Sequence, residues 1–251
     1  MGFFDHKLDK NVPIPLYYQL KTLLEEYITQ EHQNYDEPIP TEMEISKAFG
    51  ISRPTVRQAI NELVVEGRLY RRKSKGTFVM RPKIHQHFLE TIQSFNEEME
   101  AKGLEPKTEV IKLTVEVCTE DVGKLLFLET GDQVIRLERL RYANDDPLVH
   151  VVSFLPYHIC QGMMQEDFTK ASMYHVLEEK LGLHIDYATR RLEAVLADKH
   201  TAKALDIPEG SAIQYIQTVA YLTDGTPIEY SKASYRGDRS HFTFRLNHQN
   251  S

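Results

Sequence analysis

Over roughly the first eighty residues, apolar positions recur with the period of an α-helix, interrupted by polar or turn-forming residues. Pro13 and Pro15 lead into Leu16, Leu20, Leu23, Leu24, Tyr27 and Ile28, one face of a helix of about three to four turns. Thr41-Glu42-Met43-Glu44 reads as a capping box: the Thr41 hydroxyl accepts from the amide of Glu44, whose carboxylate reaches back. The helix that starts there is expected to bury Ile45, Ala48 and Phe49. Gly50 follows as a residue able to take positive φ, and Ser52 caps a third helix with Pro54 in its first turn, where a missing N–H costs nothing. In that helix Val56, Ala59, Ile60 and Leu63 repeat at i, i+3, i+4 and i+7, which turns Arg53, Arg57, Gln58 and Asn61 outward. Arg68 to Arg72 and Thr77 to Met80 read as two short strands joined by Lys73-Ser74-Lys75-Gly76, a basic hairpin.

Beyond this point the pattern changes. The charged, His-rich stretch 81–91 reads as a linker between a first domain over 10–80 and a second over 92–247. A second capping box, Ser94-Phe95-Asn96-Glu97, opens a helix to Ala101 that stops at Gly103, and strand-like alternation follows at Thr108 to Val117 and Val134 to Tyr142. Gly131 to Pro156 and Gly210 to Arg236 resemble each other. Each runs Gly, strand, Tyr142 or Tyr221, an Asp-containing turn, Pro147 or Pro227, and a second strand, a duplicated β-hairpin. With helices at Ser172 to Leu181 and His200 to Leu205 and a long strand at Ile185 to Leu196, the expected fold is an α+β domain built on an antiparallel sheet.

Charge distribution gives the first part a function. The chain carries a formal net charge of −7, yet Lys47 to Lys83 holds ten Lys or Arg against two acids, a local +8 that leaves −15 for the rest. That asymmetry is expected when one part of a protein meets phosphates. Arg and Gln at the start of a third helix are base-reading side chains, and a basic hairpin tip can enter a minor groove or grip phosphate. A helix-turn-helix outline alone is common in domains that never touch DNA; the capped turn, the basic face and the basic hairpin together favour a winged helix-turn-helix. Cys118 and Cys160, without metal-ligand spacing, fit a reducing compartment. Met1 to Lys10 lacks the apolar run of an export signal and no window is apolar enough to span a membrane, so the expected location is the cytoplasm.

The second part offers a ligand site. Arg139 and Arg141 lie two apart on a strand, so their guanidinium groups share a face about 6 to 7 Å apart, suited to one phosphate or carboxylate. By the same parity Glu229, Ser231 and Tyr235 present an acceptor, a hydroxyl and a phenol to a polyhydroxylated molecule. The start of the Ser94 helix adds amides as further anion donors. The bland alternative is a solvent-facing row of charges. His85-Gln86-His87 lacks the companions of a metal site, and no phosphate loop or catalytic set is recognisable.

Taken together, Pro15-Leu16-Tyr17-Tyr18-Gln19-Leu20, Pro40-Thr41-Glu42, the run Phe49 to Ala59 and Lys75-Gly76-Thr77-Phe78-Val79 resemble the GntR family of bacterial regulators. Gln93-Ser94-Phe95, the run Arg139 to Asn144, Ser172-Met173-Tyr174 and the run Ile228 to Asp238 resemble the effector domain of its HutC subfamily, called UTRA, which itself resembles the chorismate lyase fold. The resemblance implies operator contacts at Thr41, Glu42, Ser52, Arg53, Thr55, Arg57, Gln58, Arg72, Lys75 and Gly76. It implies an effector site at Ser94, Phe95, Arg139, Arg141, Ser172, Tyr174, Glu229 and Tyr235, with the arginines and serines on a phosphate and Glu229 and Tyr235 on a sugar, as in the amino-sugar-responsive members. Met43, Ser74 and Val151 depart from the pattern; Val151 stands where those members carry Glu. The expected protein is a dimeric repressor that a phosphorylated sugar or amino sugar releases from double-stranded operator DNA, with no cofactor, metal or membrane. A lyase-like enzyme carrying a DNA-binding domain, a nucleoid-type protein without an effector, and an activator are the alternatives.

Overall fold

The computed structural model describes residues 2–30, 35, 37–72, 74–81, 83–86 and 94–243. It divides into two compact units, Met1–Pro82 and Lys83–Ser251. Lys73, His87 and Gln93, which figured in the motifs above, lie outside the described residues.

In the first unit α1 (Leu16–Gln30), α2 (Glu42–Phe49) and α3 (Arg53–Val65) precede an antiparallel pair, β1 (Leu69–Arg72) and β2 (Gly76–Val79). The capping box forms: the Glu44 amide donates to Thr41 Oγ1 at 3.3 Å and the Thr41 amide to Glu44 Oε2 at 2.7 Å. Gly50 ends α2 at φ 61°, a left-handed turn that costs a residue without Cβ little. Leu20, Leu24 and Ile28 of α1 pack on Ile45 of α2, on Val56, Ala59, Ile60 and Leu63 of α3, and on Leu69 and Val79 of the hairpin. Ala48, expected in this core, is exposed. α2 has only eight residues and anchors through Ile45. The aromatic side of its last turn is met by Phe3, which packs on Tyr27 and Phe49 with ring centroids at 4.7 and 5.3 Å, and Ala48 falls on the solvent side.

The second unit runs β3 (Ile84–Gln86), α4 (Phe95–Glu100), β4 (Pro106–Val117), α5 (Glu120–Leu126), β5 (Gln133–Ala143), β6 (Asp146–Pro156), α6 (Tyr157–Cys160), α7 (Met173–His175), β7 (Ile185–Leu196), α8 (Lys199–Ala204), β8 (Ala212–Leu222), β9 (Pro227–Arg236) and β10 (Ser240–Phe242). The helix expected over Ser172 to Leu181 is α7 followed by a π-helical turn, Val176–Lys180, closed by the Leu181 amide on the Val176 carbonyl at 3.2 Å. Six antiparallel strands form one sheet in the order β4-β5-β6-β9-β8-β7. Its two halves, β4-α5-β5-β6 and β7-α8-β8-β9, repeat one another and join where β6 pairs with β9. The duplicated hairpin is thus half of a larger duplication. Ile84–Gln86, read above as linker, is instead a strand of this unit, parallel to β10. A three-residue strand whose partner lies over 150 positions away leaves no periodic trace in the sequence.

Alternation along the strands gives the sheet two different faces. Residues from α6 to the π-helical turn cover Ile135, Leu137, Leu155 and Ala220 on one; on the other α5 packs near Val134 and Tyr230, and α8 near Leu140 and Ile213. Phe95 and Met99 of α4 pack with Val149, Val151, Ala233 and Tyr235 on the first face. No helix among the described residues is long and apolar enough to cross a membrane.

Candidate functional site

Two groups of side chains stand out, one in each unit. On α3, Arg53, Arg57 and Gln58 are exposed and Thr55 is half-buried, flanking an open concavity lined by Pro54, Arg57, Gln58, Asn61 and Val65. Ser52 caps the helix by accepting from the Thr55 amide at 3.3 Å, and its hydroxyl lies 2.7 Å from that of Thr55. Arg57 donates through Nε and Nη2 to Glu42 Oε2 at 3.1 and 3.0 Å, and Arg71 Nη2 donates to Glu42 Oε1 at 3.3 Å. The Glu42 hydrogen bond raises the Arg57 pKa. Arg71, absent from the expected set, thus shares Glu42 with Arg57, a link between α2, α3 and the hairpin that linear spacing does not carry. In the hairpin Arg72 lies over the Phe78 ring at 5.6 Å, and Lys75 is exposed. Gly76 takes φ 123°, where a Cβ would stand 2.9 Å from Pro38 Cβ, so the wing closes against the segment before α2 only with glycine there.

In the second unit Ser94, Phe95, Arg139, Arg141, Ser172, Tyr174, Glu229 and Tyr235 all line one cavity between the first face of the sheet and the helices α4 and α7, which Ser94 and Ser172 precede. The register explains the gathering. Arg139 pairs with Val151 and Arg141 with Val149, which pair in turn with Ala233 and Tyr235, so side chains from three adjacent strands point the same way. Arg139 is 2% exposed, its Nη2 reaching Met173 Sδ at 3.6 Å, while the Arg141 guanidinium sits 5.2 Å from the centre of the Phe95 ring. Among the described residues neither forms an ion pair, and both Nε atoms are buried without a hydrogen-bond partner. Burial, then the neighbouring Arg141, holds the Arg139 pKa well below its ordinary value, and burial lowers that of Arg141.

Across the cavity Glu229 is 2% exposed and accepts from the Ser153 hydroxyl at 3.0 Å and the Tyr174 hydroxyl at 2.7 Å. Burial raises the pKa of Tyr174, with Glu229 adding to it, and burial raises that of Tyr235, so both phenols stay protonated donors. The Ser94 hydroxyl is engaged in capping α4 at 3.2 Å from the Glu97 amide; that of Ser172 makes no capping bond. Val149, Val151 and Ala233 give the cavity an apolar floor, and Ser231 lines it as strand parity implied. Val149, Met173, Ala233 and Ser153 stand outside the expected set: Ala233 shares the parity of Ser231 and Tyr235 on β9, Val149 and Ser153 join them only once β6 is placed between β5 and β9, and Met173 comes from α7. The cavity is small, about 40 Å³. It is a narrow slot, and the charges in it are two guanidinium groups facing one carboxylate.

Known proteins share both parts. Residues 16–79 match the family model for bacterial regulatory proteins of the gntR family, and residues 101–241 match the UTRA domain. The HTH-type transcriptional repressor NagR of Bacillus subtilis is 36% identical over 237 residues, 94% of this chain and 96% of the relative. The mannosyl-D-glycerate transport/metabolism system repressor MngR of Escherichia coli is 25% identical over 229 residues, 91% and 95% of the two chains. The crystal structure of PhnF from Mycobacterium smegmatis superposes with a TM-score of 0.65 at 27% identity, covering 92% of this chain and 99% of that one. These relatives are regulators, which removes the lyase-like enzyme from the alternatives. The chain belongs to the GntR family of bacterial transcriptional regulators, in its HutC branch, with a DNA-binding winged helix-turn-helix followed by a UTRA domain.

Proposed function

We propose that this regulator is a homodimeric repressor whose UTRA domain takes a phosphorylated sugar or amino sugar, and that this ligand releases it from its operator. One observation carries the reading: the buried Arg139 and the half-buried Arg141, each with a buried, orphaned Nε, share a cavity with a single carboxylate. Burying a cation without a partner is costly, so these side chains carry a deficit that an anion relieves. A phosphate monoester brings close to two negative charges and three acceptor oxygens, more than Arg139, Arg141 and Ser172 require. Glu229 and Tyr235 then meet hydroxyl or amino groups, and the Val149, Val151 and Ala233 floor meets the C–H face of a ring. The MngR name supports an anionic sugar in general, since mannosyl-D-glycerate joins a sugar to a carboxylate.

On the DNA side Arg53, Thr55, Arg57 and Gln58 read bases in the major groove, Arg72, Lys75 and Gly76 bring the wing to the backbone or minor groove, and Thr41, Glu42 and Ser52 set the approach. One recognition helix reads only a few base pairs, so two copies on a pseudo-palindrome are the economical route to a unique site. The slot is too narrow for a hexose phosphate until side chains shift. That shift gives a ligand different affinities for two arrangements, the condition for controlling DNA binding.

The test is a thermal-shift titration of the full chain with matched phosphorylated and unphosphorylated sugars and amino sugars, paired with a mobility-shift assay on operator DNA. Stabilisation by a phosphorylated member alone, with release of DNA by the same compound, is expected. Stabilisation only by sugar acids refutes the phosphate and keeps the anion clamp. No response to any anion refutes the pocket assignment.

A further inference from the structure

The sheet face opposite the effector cavity holds a second polar cluster that the regulator's recognised activity does not use. Glu138 on β5 and His150 on β6 are 4% and 6% exposed, on the face that carries the apolar clusters under α5 and α8. Arg136 Nη2 donates to Glu138 Oε2 at 2.7 Å, which leaves Oε1 turned to His150 Nε2 at 2.9 Å. From the first turn of α8 the exposed His200 ring comes to 5.5 Å from that of His150, tilted by 56°. One ligating atom from each of Glu138, His150 and His200 falls within 4.8 Å of the other two.

We propose that Glu138, His150 and His200 bind a divalent transition-metal ion, zinc first among them, and that the ion pins α8 to the sheet. A buried Glu–His hydrogen bond accounts for two of these residues, but not for a third imidazole converging on them from a separate element. Two imidazole nitrogens and one carboxylate oxygen are a borderline donor set that zinc accepts at about 2.0 to 2.2 Å, with a fourth position left for water. Tetrahedral ligands on such an ion stand about 3.3 Å apart. The Glu138–His150 separation is already close to that, and His200 reaches it by rotating an exposed side chain. Arg136 fixes the carboxylate from behind, as outer-shell partners of metal ligands do. It also leaves the site less negative than one with two carboxylates, which favours zinc over calcium or magnesium, ions that depend on many oxygens. The ligands are 12 and 50 residues apart, a spacing that matches no linear motif. The histidines that did catch the eye are arranged otherwise: His85 stacks on His241 at 5.2 Å, and His87 lies outside the described residues.

The experiment uses the full, tag-free chain stripped with EDTA and titrated with zinc chloride by calorimetry, alongside His200→Ala, Glu138→Gln and, as a control, His241→Ala. One equivalent per chain is expected for the parent and for His241→Ala, with affinity at least about tenfold lower in His200→Ala and Glu138→Gln. Zinc should raise the melting temperature of the parent by about 5 °C at a large excess over Kd, and that of His200→Ala by none. His200 is exposed and faces away from the effector cavity, so His200→Ala should fold and keep its operator and effector affinities. Failure of the parent to bind one equivalent overturns the proposal. So does full zinc affinity in His200→Ala, or its loss in His241→Ala.

Discussion

Replacing Arg139 by Met separates what the effector site does for the ligand from what it does for the fold. The guanidinium is 2% exposed, its Nε has no partner, and its charged neighbour on the same face of β5 is another arginine. An unsatisfied buried donor costs about 1 to 3 kcal/mol, and swapping buried charge for a well-packed apolar chain of similar length is often neutral or stabilising. Against this, Arg139 offsets part of the Glu229 charge. Glu229 keeps its bonds from Ser153 and Tyr174 in the variant, so that loss is bounded. The ligand-free variant should therefore be as stable as the parent or more stable by about 1 to 2 kcal/mol, a rise of about 2 to 8 °C in Tm for a domain of this size. Losing a buried charge-assisted contact should cost the anionic ligand about 2 to 5 kcal/mol, roughly 30-fold to a few thousandfold in Kd. Thermal melts followed by calorimetry with the stabilising phosphosugar measure both, and operator affinity without ligand should not change. A clear fall in Tm with ligand affinity intact would refute the reasoning and make Arg139 a structural residue.

Other perturbations probe the remaining parts. Gly76→Ala forces a Cβ toward Pro38 at φ 123°, so it should destabilise the first unit by about 1 to 3 kcal/mol and weaken operator binding through the wing; unchanged melts and unchanged fluorescence anisotropy would show that the wing tolerates a side chain. Arg57→Ala should lower specific operator affinity about 10- to 100-fold and leave effector binding alone. Glu42→Gln frees Arg57 and Arg71, so it should raise non-specific DNA affinity and steepen the dependence of log K on log salt, and an unaltered slope would count against that ion-pair network. Asp198 caps α8, and bonds from the Thr201 amide and then its hydroxyl hold its carboxyl below the ordinary 3.8. A depressed folded pKa contributes stability above the unfolded value that is lost as pH falls through the folded one. Asp198→Asn should therefore lose less stability than the parent as pH is taken from neutral to below 3.8, and parallel acid melts would contradict it.

Local chemistry made much of this protein readable from its residues. Thr41 with Glu44, Ser94 with Glu97, and Ser52 ahead of Pro54 mark helix starts because a cap is satisfied within four residues. The helical period of Val56, Ala59, Ile60 and Leu63 identified the buried face of α3, and so left Arg53, Arg57 and Gln58 outside. Strand parity put Arg139 with Arg141, and Glu229 with Ser231 and Tyr235, each pair or trio on one face. Whether those two faces were the same face was not a local question. It depended on β6 lying between β5 and β9, and the β6–β9 pairing joins residues 76 to 86 positions apart. That pairing also brings Ser153 to Glu229, and other long-range contacts make Ile84–Gln86 a strand against β10 and not linker and return His200 to Glu138 and His150. Ala48 shows the limit from the other side: its spacing fits the buried face, but Phe3 docks against Phe49 at the end of α2 and leaves it in solvent. Capping, turns and periodicity are energies between near neighbours, and they are written along the chain. Register between distant strands is settled by how the whole sheet buries its two faces, and only the folded chain carries that information.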